Sequence, residues 1–242
     1  METHDFLTAI ARDGEAFASV CADADLAAPV AACPGWTIAD LVYHLGEVHH
    51  FWRTVVGEAR DTWEGYEQPA RPADGELIGW YRDGLAELVT VLAAADPAQP
   101  NWTWSTDKTA GFVQRRMAQE TAIHRWDAEQ AAGLDTGVEP HLASDGIDEF
   151  LMWFADEPNE GAAVPGGSVH LHCGDVSGEW TVRLNAEGTY DIERAHAKGD
   201  CALRGSASDL LLALWRRRGI DTIDVVGDAD VAARFIAYPS LE

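Results

Sequence analysis

The chain has 242 residues, with 17 Lys and Arg against 41 Asp and Glu, for a formal net charge of −24. Apolar and aromatic residues make up 47% of it, too many for a disordered acidic tail, so the charge must coat a folded body. That much negative charge repels phosphate backbones and anionic bilayers, which excludes general nucleic-acid and membrane-surface binding. No run approaches the roughly 18 uninterrupted apolar residues of a membrane span. The acidic start, Met1-Glu2-Thr3-His4-Asp5, lacks the basic and apolar regions of a signal peptide. Cys21, Cys33, Cys173 and Cys201 form no CxxC pair, so reduced thiols in a cytoplasmic protein are expected.

In chain order, residues 5 to about 155 read as helices. Phe6, Leu7, Ile10, Phe17 and Val20 recur at helical spacing. Cys33-Pro34-Gly35 breaks the pattern, and Thr37 with Asp40 forms a capping box that opens the next helix. Ile38, Leu41, Leu45, Val48 and Trp52 then mark one apolar stripe. Gly57 to Asp74, rich in Gly, Pro and charge, reads as a loop. A third helix spans Glu76 to Ala95, and a fourth runs from about Val113 to Ala132, stopped by Gly133. Four such helices predict an antiparallel four-helix bundle over residues 1–157.

The pattern then changes. After Pro158 and a loop from Gly161 to Gly167, Val169, Leu171 and Cys173 alternate with His170 and His172. Trp180, Val182 and Leu184 alternate again, so the period of two predicts a hairpin. Thr189 to Arg194, Cys201 to Arg204 and Val225-Val226 supply further strands. Ser206 and Asp209 cap an apolar helix ending in Arg216-Arg217-Arg218, and Asp228 opens a last helix running to about Ala237. Residues 165–242 are therefore expected to form a smaller α/β domain, making the whole chain α followed by α+β.

Chemistry concentrates in the fourth helix. At roughly 100° per residue, Glu120 and His124 share the face of Val113, Met117, Ala128 and Ala131. A carboxylate facing inward needs a cation or a donor. His44 lies to one side of its own helix's stripe, where it would reach the next helix. His44, Glu120 and His124 form a two-His, one-carboxylate set of the kind that holds catalytic zinc with one position open. Glu-x-x-x-His is also the spacing of an ordinary intrahelical pair, and His49-His50 and His170-x-His172 are rival ligand pairs. His49, on the apolar side of its helix, reads as a satisfied core histidine, and a His pair on one strand face usually fills the wet side of a sheet.

Cys33-Pro34-Gly35-Trp36-Thr37-Ile38-Ala39-Asp40-Leu41-Val42-Tyr43-His44-Leu45 and Glu120-Thr121-Ala122-Ile123-His124-Arg125-Trp126-Asp127 resemble the two signatures of the mycothiol-dependent maleylpyruvate isomerase family of actinobacteria. That family lies within the DinB-like superfamily of metal-binding four-helix bundles. Gly205 to Trp215 and Val226-Gly227-Asp228 resemble its smaller C-terminal α/β domain, which has a sterol-carrier-like look. The resemblance implies a divalent metal, usually zinc, on His44, Glu120 and His124. Asp127 would then orient one of the imidazoles, or else serve as an acceptor for an arginine. It further implies mycothiol, a low-molecular-weight thiol, as cosubstrate, because a metal-bound thiol loses its proton near neutral pH.

Such a thiolate would isomerise a cis-enoyl acid resembling maleylpyruvate by adding, rotating and leaving, or would take part in S-transfer to another electrophile. An acidic substrate would meet an unfavourable global field and need a local arginine. The candidates are Arg125, Arg204 and the run from Arg216 to Arg218, from which Arg217 is assigned to the site beside Asp127. A hydrolase using zinc-bound water, and a non-catalytic small-molecule-binding protein, are the alternatives.

Overall fold

The computed structural model describes residues 1–159, 162, 166–184 and 189–241. Helix α1 (Thr3–Asp23) buries Phe6, Ile10 and Phe17, with Cys21 completing the stripe. The chain then doubles back, Val30 N–H donating to the Trp36 carbonyl at 2.9 Å, around a turn in which Gly35 takes φ +85°. A residue with a Cβ is strained there, which explains the break after Cys33. The predicted capping box is present at the head of α2 (Ile38–Gly57). Asp40 N–H donates to Thr37 Oγ1 at 3.3 Å, and Thr37 N–H donates to Asp40 Oδ2 at 2.9 Å.

The stretch after α2 is irregular, as expected, until a 3₁₀ turn at Asp74–Glu76 leads into α3 (Leu77–Ala94). Helix α4 (Ala110–Ala131) begins at Thr109, whose hydroxyl accepts from Phe112 N–H, and stops before Gly133 at φ +77°. Helix α1 packs on α4 and α3, and α2 packs on the same two. Around the bundle the order is therefore α1, α3, α2, α4, so α1 and α2, consecutive in the chain, face each other diagonally.

Two compact units, Met1–Thr136 and Gly137–Glu242, divide the chain, which corrects the boundary of 157–165 expected from the change of periodicity. Helix α5 (Pro140–Trp153) is the reason. It reads as one more helix, yet it packs on α6 of the second unit. Its start is written in the sequence: Pro140 stands at the first helical turn, and the Glu139 carboxylate accepts from His141 and Leu142 N–H. Of the loop expected from Gly161 to Gly167, Gly161 and residues 163–165 lie outside the described residues.

The second unit is a five-stranded mixed sheet in the order β3-β2-β1-β4-β5. The predicted hairpin is β1 (Ser168–Cys173) against β2 (Glu179–Leu184), antiparallel. β3 (Tyr190–Glu193) adds to β2, β4 (Cys201–Gly205) runs parallel to β1, and β5 (Asp224–Gly227) closes the edge. Val169, Leu171, Trp180 and Val182 are buried on one face, as their alternation requires. Ser206 caps α6 (Ala207–Leu214), and Asp228 caps α7 (Ala229–Ala237). Among the described residues, no helix is long and apolar enough to cross a membrane.

Helix α4 departs from the expected single apolar stripe. Gln114, Arg116, Gln119, His124, Arg125, Asp127 and Glu129 are buried along with its apolar residues. Arg125 illustrates how such charge is tolerated. Its Nε lies 3.2 Å from Asp13 of α1, and its other end donates to Glu129 and to the Thr136 carbonyl, each at 2.8 Å. Arg125, one of the candidate anion-reading arginines, is therefore engaged as a bundle fastener. His49 is the core histidine expected, fully buried with Nε2 3.0 Å from Thr121 Oγ1, and burial pulls its pKa down to about 3.

Arg125→Leu should destabilise the protein by about 3–5 kcal/mol in urea unfolding, because it takes the guanidinium from buried Glu129 and leaves buried Asp13 with Arg12 alone. Adding Asp13→Asn should recover part of that loss, and a neutral single mutant would refute the fastener role. His49 binds its proton more weakly folded than unfolded, so its contribution to stability is fully present above about pH 6.5. That contribution falls as pH drops toward about 3. The urea midpoint of His49→Gln, compared with the parent across that window, should show a shallower acid decline.

Candidate metal centre

Helices α2 and α4 face each other, and their polar side chains meet at Glu120. Its Oε1 lies 3.5 Å from His44 Nε2 and 3.2 Å from His124 Nε2. The two imidazoles meet edge to face, with ring centres 5.1 Å apart. One donor atom from each of His44, Glu120 and His124 falls within 4.8 Å of the others. The three residues singled out in the sequence are thus brought together.

Each donor is held from behind. His124 Nδ1–H donates to the Asp127 carboxylate at 3.0 Å, which leaves Nε2 as the nitrogen turned toward Glu120. Asp127 is almost fully buried one turn further along α4, with its Oδ2 against the ring of His124. Glu120 divides its two oxygens: Oε2 is bound by the Arg116 guanidinium, and Oε1 faces the imidazoles. Trp36, from the turn before α2, lies against His44 with ring centres 4.8 Å apart.

Electrostatics follow from this arrangement. Burial alone would raise the Glu120 carboxyl, but Arg116 and the two histidines hold it well below the usual carboxylate range. Burial alone would lower His124, yet its hydrogen bonds to Asp127 and Glu120 lift it to about 9. The site therefore keeps an ionised carboxylate and an imidazole strongly drawn to positive charge.

That donor set fits a divalent metal. Two imidazole nitrogens and one carboxylate oxygen are borderline-to-hard ligands suited to zinc, and three protein ligands leave a coordination position open. The carboxylate behind His124 and the guanidinium behind Glu120 are the outer partners that such ligands usually have.

Two nearby residues escaped the sequence reading. Arg116 was legible in principle, since Arg116, Glu120 and His124 stand at successive i, i+4 positions. Cys33 was not, because only the fold-back before α2 brings its Sγ within 4.8 Å of donor atoms on His124 and Asp127. Arg217 lies in the second unit, its guanidinium 5.7 Å over the Trp215 ring and donating to the Trp215 carbonyl. His50 is engaged with Tyr66, and His170 and His172 belong to a separate cluster in the second unit.

A family model described as the mycothiol maleylpyruvate isomerase N-terminal domain matches residues 7–129, and one described as the MDMPI C-terminal domain matches residues 141–234. Among solved structures, a mycothiol-dependent maleylpyruvate isomerase superposes with a TM-score of 0.64 at 13% identity, covering 93% of both chains. A histidine-to-alanine mutant described by the same name gives 0.63 at 13% identity over 93% of each chain. At that identity the likeness is one of fold. No curated protein matches the sequence. The first family model spans more than half of the chain and the second falls within the compact unit that follows, so the chain belongs to the mycothiol maleylpyruvate isomerase family.

Proposed function

We propose that the protein is a mycothiol-dependent enzyme in which His44, Glu120 and His124 hold a divalent metal, zinc by the chemistry of the donors. The reaction class is thiol addition to an electrophilic small molecule, either reversible, as in isomerisation of a cis-enoyl acid, or completed as S-transfer. The observation that carries this reading is the convergence of both imidazoles on Glu120 Oε1, with Asp127 fixed behind His124. When bound, the metal supplies positive charge that keeps a small thiol ionised near neutral pH.

The chain's own residues divide the remaining work. Asp127 holds the His124 ring so that Nε2 stays available. Arg116 pins Glu120 through Oε2, so the carboxylate need not reorient on binding. Trp36 walls one side of His44 and limits its rotation. For an anionic substrate, Arg217 is the arginine we assign to recognition, since the net charge of −24 disfavours anions at long range. In its second unit the Trp215 ring supports that guanidinium.

Metal analysis beside thermal shift tests the reading. Purified protein should bind zinc at this site and lose it in His44→Ala and Glu120→Ala. Mycothiol, and not glutathione, should raise the melting temperature only when the metal is present. Equal stabilisation by both thiols, or none by either, would remove mycothiol from the proposal. Asp127→Asn should keep the fold and weaken zinc affinity by about 10–100-fold, as loss of an outer carboxylate partner does. Unchanged affinity in that variant would reduce Asp127 to a packing residue.

A further inference from the structure

The second unit carries a cluster that the proposed reaction does not use. His170 and His172 stand two apart on β1 and so point to the same face of the sheet. Glu179 on β2 is the cross-strand partner of His172 and shares that face. His196 arrives from the connection between β3 and β4. That connection is tied down on both sides of the sheet: Thr181 Oγ1 donates to the Ala195 carbonyl at 3.1 Å, and Arg194 pairs with Asp148 of α5 at 2.5 Å.

All three rings aim at one atom. His170 Nε2 and His172 Nδ1 each lie 2.9 Å from Glu179 Oε1, and His196 Nδ1 lies 2.5 Å from it. The His170 and His196 rings meet edge to face at 4.9 Å between centres. One carboxylate oxygen has two lone-pair sites, so three N–H donors oversubscribe it. Four donor atoms from these residues fall within 4.8 Å of one another, a spread that a single cation at their centre satisfies. His170 is nearly buried, His172 is half-buried and His196 is exposed, so the pocket has a fixed floor and a rim open to entering ions.

We propose that His170, His172, Glu179 and His196 form a second metal site, for a first-row divalent cation of the zinc class. Three imidazoles and a carboxylate are the borderline donors that select such ions over calcium or magnesium, which prefer all-oxygen shells. Four protein ligands complete a tetrahedral shell, so this site is structural. The ion clips β1 and β2 to the connection after β3, adding to the anchors at Thr181 and Asp148. The bundle site, with three protein ligands, remains the one open to chemistry. The second site stands independently of the first.

The test is zinc binding by the full chain, stripped with chelator and equilibrated with zinc alone, with cobalt absorption as a geometry probe. His44→Ala/Glu120→Ala protein should still bind one zinc, with a tetrahedral cobalt spectrum. His172→Ala/His196→Ala, added to that His44→Ala/Glu120→Ala background, should lose the remaining ion and with it the zinc-dependent rise in melting temperature. Glu179→Gln should weaken binding at least tenfold while circular dichroism stays that of the parent. If the His44→Ala/Glu120→Ala protein binds no zinc, or the His172→Ala/His196→Ala protein binds as much as wild type, the second site is overturned. If wild type loses its only ion in His172→Ala/His196→Ala and not in His44→Ala/Glu120→Ala, this site stands and the bundle centre falls.

Discussion

Charge carried into the interior by α4 is the constraint around which the first unit is built. Burying an ionised side chain without a partner costs several kcal/mol, and α4 buries Arg116, His124, Arg125, Asp127 and Glu129 within a few turns. Each is matched: Arg116 with Glu120, His124 with Asp127, and Arg125 with Asp13 and Glu129. The partners come mostly from α4 itself at i, i+3 and i, i+4, with Asp13 joining α1 to the set. The pairs within α4 move with the helix, so of those named it is Arg125 with Asp13 that ties α4 to one register on α1. The same matching explains why the site lies here. Glu120 is matched by Arg116 on one oxygen only, and the other is turned toward the two imidazoles.

Much of this was legible in sequence wherever a local rule decided the outcome. The capping box at Thr37 and Asp40, the stop at Gly133, the caps at Ser206 and Asp228, and the hairpin of β1 and β2 each depend on residues a few positions apart. Glu120 and His124 were legible for the same reason. His44 required one further step, that a polar residue beside an apolar stripe meets a neighbouring helix. The domain boundary was not legible, because helical periodicity says that α5 is a helix but not which core it joins. Cys33 was equally hidden: its approach to His124 depends on the Val30 and Trp36 fold-back, and neither residue carries a sign of that pairing.

Overall acidity and local positive charge act at different ranges. Screening confines the field of distant carboxylates to about 8–10 Å at physiological salt, so most of the acidic coat is felt as a general repulsion of anions. Arg116 is held in contact with Glu120, behind the ligand atoms. It offsets part of the negative charge that two carboxylates, Glu120 and Asp127, bring to the two imidazoles. With both carboxylates ionised, the His44, Glu120, His124, Asp127 and Arg116 group carries a formal −1 when its histidines are neutral. His124, lifted to about 9, holds a proton near neutral pH and brings the group to zero. A divalent ion that displaced this proton would leave the group at +1, a local positive charge within a negatively charged exterior.

The difference between the two proposed metal sites follows from the elements that build them. Two facing helices offer side chains one turn apart, and α2 and α4 bring three donors together while Arg116 and Asp127 occupy the remaining polar atoms of Glu120 and His124. That leaves an open coordination position by construction. A pair of strands places donors two residues apart and directly opposite, so β1 and β2 supply three ligands on one face. The following connection then lays His196 across them. Four ligands from three chain segments close a shell and tie those segments together. The helical site is therefore suited to chemistry and the sheet site to holding the small second unit in shape, a division imposed by backbone geometry before any question of substrate arises.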